Sequence, residues 1–231
     1  MRPFITPMML GEAFEPEPGQ VEVMGGSIAD GQLTFVVPPG VFSICAVAIG
    51  RGGASRNSDD GQSSGGGGGG GLMYANDIPV TPGQTLILFA GAQSWLQTTG
   101  EGAVFLIGAT SGANASSSGA GGSLNAPGGT GLSSAVAQGR VSHNGGSGRR
   151  WNGTTRGGGG GAATYTGNGG AGSGNSNANG AARSLKGSNG GSLSLCGAGM
   201  GGQSGGAANR TPGVRVIWGK GRSYPSNALD V

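Results

Sequence analysis

The sequence predicts an all-β fold: a jelly-roll-like β-sandwich core that carries a glycine-rich layer of polyglycine-helix type, with no substantial α-helix. Three observations predict it. Short apolar runs separated by turn residues recur over 21–110 and again near the C-terminus, the pattern of a sandwich or barrel. No stretch shows a sustained 3.6-residue apolar period. Glycine supplies 57 of the 231 residues and proline 11, yet 35% of the chain is hydrophobic and only 10% charged. Disorder pairs low hydrophobicity with high charge, so the glycine is expected to be ordered.

Each element follows in turn. Prolines at 3, 7, 16 and 18 exclude a long helix from residues 1–20, which read as an extended arm. Its apolar group Phe4, Ile5, Met8, Met9 and Leu10 suits docking on a neighbouring subunit, or packing on the chain's own sheet. Residues 32–37 alternate and stop at Pro38-Pro39-Gly40, a turn signal. Residues 41–49 form a Val/Ile/Ala run suited to a strand covered on both faces. Residues 72–78 follow the glycine run 65–71; Thr81-Pro82-Gly83 is a turn, 84–90 another strand, and 103–109 a further apolar run. Residues 111–211 are the glycine-rich layer, built of Gly, Ser, Ala and Asn without the strict glycine period of collagen. At 214–218, Val214, Val216 and Trp218 share one strand face, which returns the chain to the sheet. The expected organisation is therefore an arm over 1–20, a core over 21–110 completed by 212–222, the layer over 111–211 and a tail over 223–231.

Ordering a residue's backbone costs ~1–2 kcal/mol, and glycine loses the most freedom. Glycine buries almost no apolar side-chain area. Backbone hydrogen bonds between tracts that approach without an intervening Cβ are the natural compensation. Packed left-handed extended helices with three residues per turn are the expected arrangement.

Charge is unevenly distributed. Nine of the ten acids lie within 1–101, and none occurs from Gly102 to Leu229, a stretch that holds ten of the thirteen Lys and Arg residues. That half should attract anions; keeping uncharged glycine tracts soluble is the plain alternative. Cys45 and Cys196 are too few for a disulfide framework. Cys45 reads as a buried small hydrophobe, with pairing left open. The N-terminus lacks the pattern of a signal peptide, and no run of about 18 apolar residues is present. No membrane insertion is expected.

Several segments carry a resemblance. Phe35-Val36-Val37-Pro38-Pro39-Gly40-Val41 leads into Ser43-Ile44-Cys45-Ala46-Val47-Ala48-Ile49-Gly50. Tyr74-Ala75-Asn76-Asp77-Ile78-Pro79-Val80 and Thr81-Pro82-Gly83-Gln84 follow the glycine run. The close is Gly213-Val214-Arg215-Val216-Ile217-Trp218-Gly219-Lys220-Gly221-Arg222-Ser223-Tyr224-Pro225-Ser226. Over roughly 32–226 this resembles the glycine-rich domain of tailed-phage structural proteins of tail-fibre or tail-tip type. The glycine half is also similar to phage adhesins whose distal domain is a sandwich of polyglycine helices with host-reading loops at its tip. The tracts here are shorter and more broken by Ser, Asn and Arg. The resemblance implies a virion protein assembled in the host cytoplasm, with other virion proteins as partners, a homo-oligomer (a trimer) as its state, and a host-surface glycan or lipopolysaccharide as its receptor. Capsid decoration, or head-fibre bridging without a receptor role, is the alternative.

The residue inventory opposes catalysis. His143 is the only histidine and lies in a Ser/Asn/Gly context with no acid nearby in sequence. No catalytic, metal or cofactor residue is assigned. Asp59-Asp60 reads as an exposed turn, and Gly219-Lys220-Gly221-Arg222 lacks the phosphate-loop spacing. Arg51-Gly52-Gly53 and Arg156-Gly157-Gly158 echo RNA-binding segments, but two copies without interleaved aromatics leave nucleic acid an unfavoured partner. Ice binding wants a weakly charged face, and the basic residues oppose it. The candidate recognition set is His143, Arg149, Arg150, Trp151, Asn152 and Arg156, since Arg and Trp dominate recognition surfaces; Trp95 and Tyr165 are further aromatics expected in loops. The alternative for Trp151 is a plug between glycine tracts.

Overall fold

β-Branched and alternating apolar segments build ten antiparallel strands. A computed structural model describes residues 15–25, 30–54, 65–115, 129–132, 140–148, 159–171 and 211–227. The strands are β1 (Gly19–Met24), β2 (Gly31–Val36), β3 (Ser43–Ile49), β4 (Leu72–Pro79), β5 (Thr85–Ala90), β6 (Gln93–Thr98), β7 (Phe105–Thr110), β8 (Gly131–Leu132), β9 (Val141–His143) and β10 (Gly213–Trp218). They form two five-stranded sheets, β1-β10-β3-β4-β9 and β2-β5-β6-β7-β8. The fold is all-β, as expected, and no helix occurs among the described residues.

The period-2 rule sets the packing. Ala46, Ala48, Ile44, Val214, Val216 and Trp218 of the first sheet meet Phe35, Leu86, Leu88, Leu96 and Ile107 of the second in one core. The small Ala46 and Ala48 leave room for the larger residues opposite. Phe35 stacks on Trp218 with ring centroids 5.3 Å apart. β3 is buried on both faces, as its continuous apolar run requires. Its other face, with Cys45, Val47 and Ile49, joins Leu72, Tyr74, Ile217, Ala163, Tyr165 and Tyr224 in a second cluster outside the sandwich.

Two segments differ from the sequence reading. Trp95 lies in strand β6 rather than a loop, because Gln93–Thr98 pairs with both β5 and β7. Gly19 and Gln20 begin strand β1 and pair with Trp218 and Ile217, so the strand starts inside the segment expected as arm. Phe4, Ile5, Met8, Met9 and Leu10 lie outside the described residues.

A bulge joins the closing segment to the first sheet. Ile44 pairs with Ile78 and Ala46 with Ala75, which leaves Cys45 opposite both Asn76 and Asp77. Asp77 adopts a left-handed φ of 55°; Asp tolerates this region better than most residues. The extra residue re-aims its neighbours. Asn76 donates from Nδ2 to the Tyr224 carbonyl and accepts from the Tyr224 N–H at Oδ1, both at 2.8 Å. Cys45 is a free thiol whose Sγ contacts the Arg222 carbonyl at 3.4 Å, and burial pushes the thiol's pKa up. The Asn76 and Tyr224 motifs, 148 residues apart in sequence, thus form one interlock.

All three tyrosines of the chain gather there. Tyr165 stacks on Tyr224 at 5.6 Å and 8°, and Tyr74 tilts against both. Burial drives the Tyr165 and Tyr224 pKa values well above the ordinary tyrosine range, with the nearby Arg215 cation opposing the shift. The folded state therefore holds these phenols neutral where the unfolded chain would ionise them. Their contribution is fully present below the ordinary tyrosine pKa of ~10 and is lost as pH rises above it. Ultraviolet titration should show phenolate absorbance lagging free tyrosine and then rising together with loss of near-ultraviolet dichroism; a simple three-tyrosine titration near pH ~10 in a folded chain would contradict the cluster.

Candidate functional site

At one end of the sandwich, five strands run directly into glycine-rich tracts. β3 continues into 50–54, β7 into 111–115 and β9 into 144–148, while 65–71 leads into β4 and 129–130 into β8. The tract 65–71 is the centre. Successive carbonyls of Gly67, Gly68, Gly69, Gly70 and Gly71 accept from the N–H groups of Gly160, Gly53, Gly129, Ala163 and Gly50 at 2.7–3.0 Å. Gly67 and Gly70 address one neighbouring tract, Gly68 and Gly71 another. The N–H groups of Gly68 and Gly71 likewise donate to Ala113 and Thr110 of a third. Partners that recur every three residues are the mark of an extended helix with three residues per turn, whose backbone groups all point outward. This is the expected polyglycine-helix arrangement, and it draws on 50–54 and 65–71 as well as on later residues.

Close approach, rather than backbone freedom, requires glycine in this array. A Cβ at Gly69 would land on the Gly161 carbonyl, one at Gly112 on the Gly68 carbonyl and one at Gly148 on the Gly66 carbonyl. None of these three glycines has a positive φ. The space of a side chain is occupied by a neighbouring backbone, so hydrogen bonding replaces a side-chain core.

The array brings several chain excursions together. At its far end the Ala115 N–H donates to the Ala54 carbonyl at 2.8 Å, and the Ala54 N–H donates to Asn114 Oδ1 at 2.7 Å. Gly65 lies against Ala115, Gly148 against Gly66, and the Gly160 N–H donates to Gly67. Segments 55–64 and 149–158 therefore both leave and re-enter at this end, and 116–128 departs from it. About five residues at ~3.1 Å each separate that end from the sheets, on the order of 15 Å.

His143 does not sit there. It ends strand β9, opposite Leu72, half-buried at the sandwich end of the array; pairing of 141–143 with β4 turns an expected loop into a sheet edge. Arg149, Arg150, Trp151, Asn152 and Arg156 fall in the 149–158 excursion and lie outside the described residues. Tyr165 does lie in a loop but is 9% exposed within the tyrosine cluster, so it offers no recognition surface. Of the basic half, Arg215 is fully buried and donates to Gln20 Oε1, Lys220 pairs with Glu15 at 3.2 Å, and Arg222 reaches Gln20 at 3.2 Å. Arg51 holds Asp30 at 2.7 Å, and Gly53 is locked in the array, so the first Arg-Gly-Gly segment is structural.

Among the described residues no three His, Cys, Asp or Glu side chains gather to hold a metal. The aromatic row Phe89, Trp95 and Phe105, across β5, β6 and β7, was not a candidate from sequence; only the register places the three side by side. No protein-family model matches the chain, and no curated protein matches it in sequence.

Proposed function

We propose that the chain is a non-enzymatic structural protein of a tailed-phage particle, a tail-fibre or tail-tip component that contributes to host-surface attachment. The observation that supports this reading is the convergence of the polar excursions 55–64, 116–128 and 149–158 at one end of a hydrogen-bonded glycine array. A rigid stem with variable polar loops at its end separates the two tasks of an adhesin: the stem is fixed by backbone geometry, and the loops are free to differ in sequence. Segment 149–158 supplies Arg149, Arg150, Trp151, Asn152 and Arg156 for a glycan or lipopolysaccharide surface. The apolar arm before strand β1 attaches the domain to other virion proteins.

The test uses assembled particles. Replacing Arg149, Arg150 and Trp151 together by alanine should lower host adsorption at least ~tenfold without changing particle yield. Deleting residues 2–14, which spares strand β1, should abolish incorporation of a chain that still folds. Unchanged adsorption by normal particles would leave only a capsid-decorating or bridging role, and normal incorporation of the deletion would remove the arm from the reading.

A further inference from the structure

The outward face of the second sheet is the open side of the sandwich. Thr34, Ile87, Gln97 and Phe105 stand opposite one another across β2, β5, β6 and β7, and Gln32, Phe89, Trp95 and Gly108 form the next row. Val36 is 57% exposed and Phe105 46% exposed, with the exposed Val104 directly before Phe105. No charged residue occurs anywhere in 31–36, 85–90, 93–98 or 105–110. Charge resumes at the margins, at Asp30 before β2 and at Glu101 in the turn after β6. An uncharged, aromatic-bearing centre with charged margins is the anatomy of a protein–protein contact.

The ring geometry narrows the occupant. Phe89 and Trp95 stack on each other at 5.1 Å and 17°, and Phe105 meets Trp95 edge-on at 5.5 Å. Both Trp95 faces are taken, so the row is a poor platform for stacking a sugar ring. We propose that this face is a self-association surface, occupied by the same face of a second copy across a twofold axis. Such a contact places each residue against its own kind or a near neighbour. Formal charges near the axis would then repel, and this face has none. Glutamine amides and threonine hydroxyls both donate and accept, so they can pair with themselves.

The size of the face sets the strength. Four strands spaced ~4.8 Å apart and six residues rising ~3.4 Å each give on the order of 300–400 Å² per copy before side-chain relief. That is below the ~800 Å² per partner of a standard stable interface. The pairing is therefore weak and concentration-dependent in solution, and effective where many copies are held together. It yields dimers or even-numbered assemblies rather than the trimer expected from resemblance, and it stands independently of the virion reading.

Sedimentation velocity of the full chain over ~1–300 µM should show reversible dimer formation. Gln97→Glu and Gln97→Lys place like charges in opposition at a half-exposed central site, and each alone should weaken dimerisation at least ~tenfold. An equimolar mixture of the two variants should restore it, which misfolded variants would not do. A wild-type chain that stays monomeric throughout, a trimer indifferent to Gln97, or a mixture that fails to recover would overturn the proposal.

Discussion

Gly69→Ala is expected to destabilise the protein by about 3 kcal/mol or more, from overpacking plus broken backbone hydrogen bonds. Gly69 accepts from Gly129 at 2.7 Å and donates to Gly146 at 2.9 Å, and its Cα faces the Gly161 carbonyl. A methyl group there would meet the Gly161 carbonyl and the Ala162 nitrogen, which are backbone and cannot rotate aside. Relief requires the 65–71 and 159–163 tracts to separate, which breaks the Gly160–Gly67 and Ala163–Gly70 bonds that join them. For a chain of this size the loss corresponds to a fall in Tm of about 6–12 °C. Gly167→Ala is the control: nothing lies within 4 Å of its modelling-free Cβ position and its φ is not positive, so the change should stay within ~0.5 kcal/mol. Thermal melts of the two variants, with hydrogen exchange across 66–71, check both. Equal effects at the two positions would mean that the glycine layer does not carry stability through close packing.

Much of this architecture was legible in the sequence. The Val/Ile/Ala run of β3 announces a strand buried on both sides, and the Val214, Val216 and Trp218 alternation announces a return to the core. Low charge beside abundant glycine signals ordered tracts. Strand β6 escaped because Gln93, Ser94, Gln97 and Thr98 carry no apolar alternation strong enough to mark it; only Trp95 and Leu96 are apolar, and pairing on both sides fixes it as a strand. The tract pairing escaped for a different reason. Glycines at 53, 68, 129 and 160 are chemically identical, so nothing in the residues says which carbonyl meets which N–H; the strands that feed the tracts decide it. His143 was misplaced because a three-residue edge strand leaves almost no periodic signal.

Tyr224→Ala should cost about 3–5 kcal/mol, the range for truncating a fully buried aromatic. Tyr224 is 3% exposed and stacks on Tyr165, which follows the 159–163 tract. Its backbone is held by Asn76 on the β4 bulge, and its flanks are closed by mutual Ser223–Asn227 hydrogen bonds of 2.8 Å. One side chain thus couples the closing segment, the first sheet and the glycine layer. Removing it opens a cavity between three elements that cannot all collapse onto one another. Tyr224→Phe separates the ring from the hydroxyl. The hydroxyl is buried and makes no hydrogen bond among the described residues, so its loss should change stability by less than ~1 kcal/mol. Asn76→Ala should cost about 2–3 kcal/mol, since it strands the Tyr224 N–H and carbonyl. The double variant Asn76→Ala with Tyr224→Ala should cost clearly less than the sum, because either change releases the same segment. Denaturant melts of the four chains measure this coupling. Strict additivity would show that ring and clamp act separately, and that the two distant motifs meet without depending on each other.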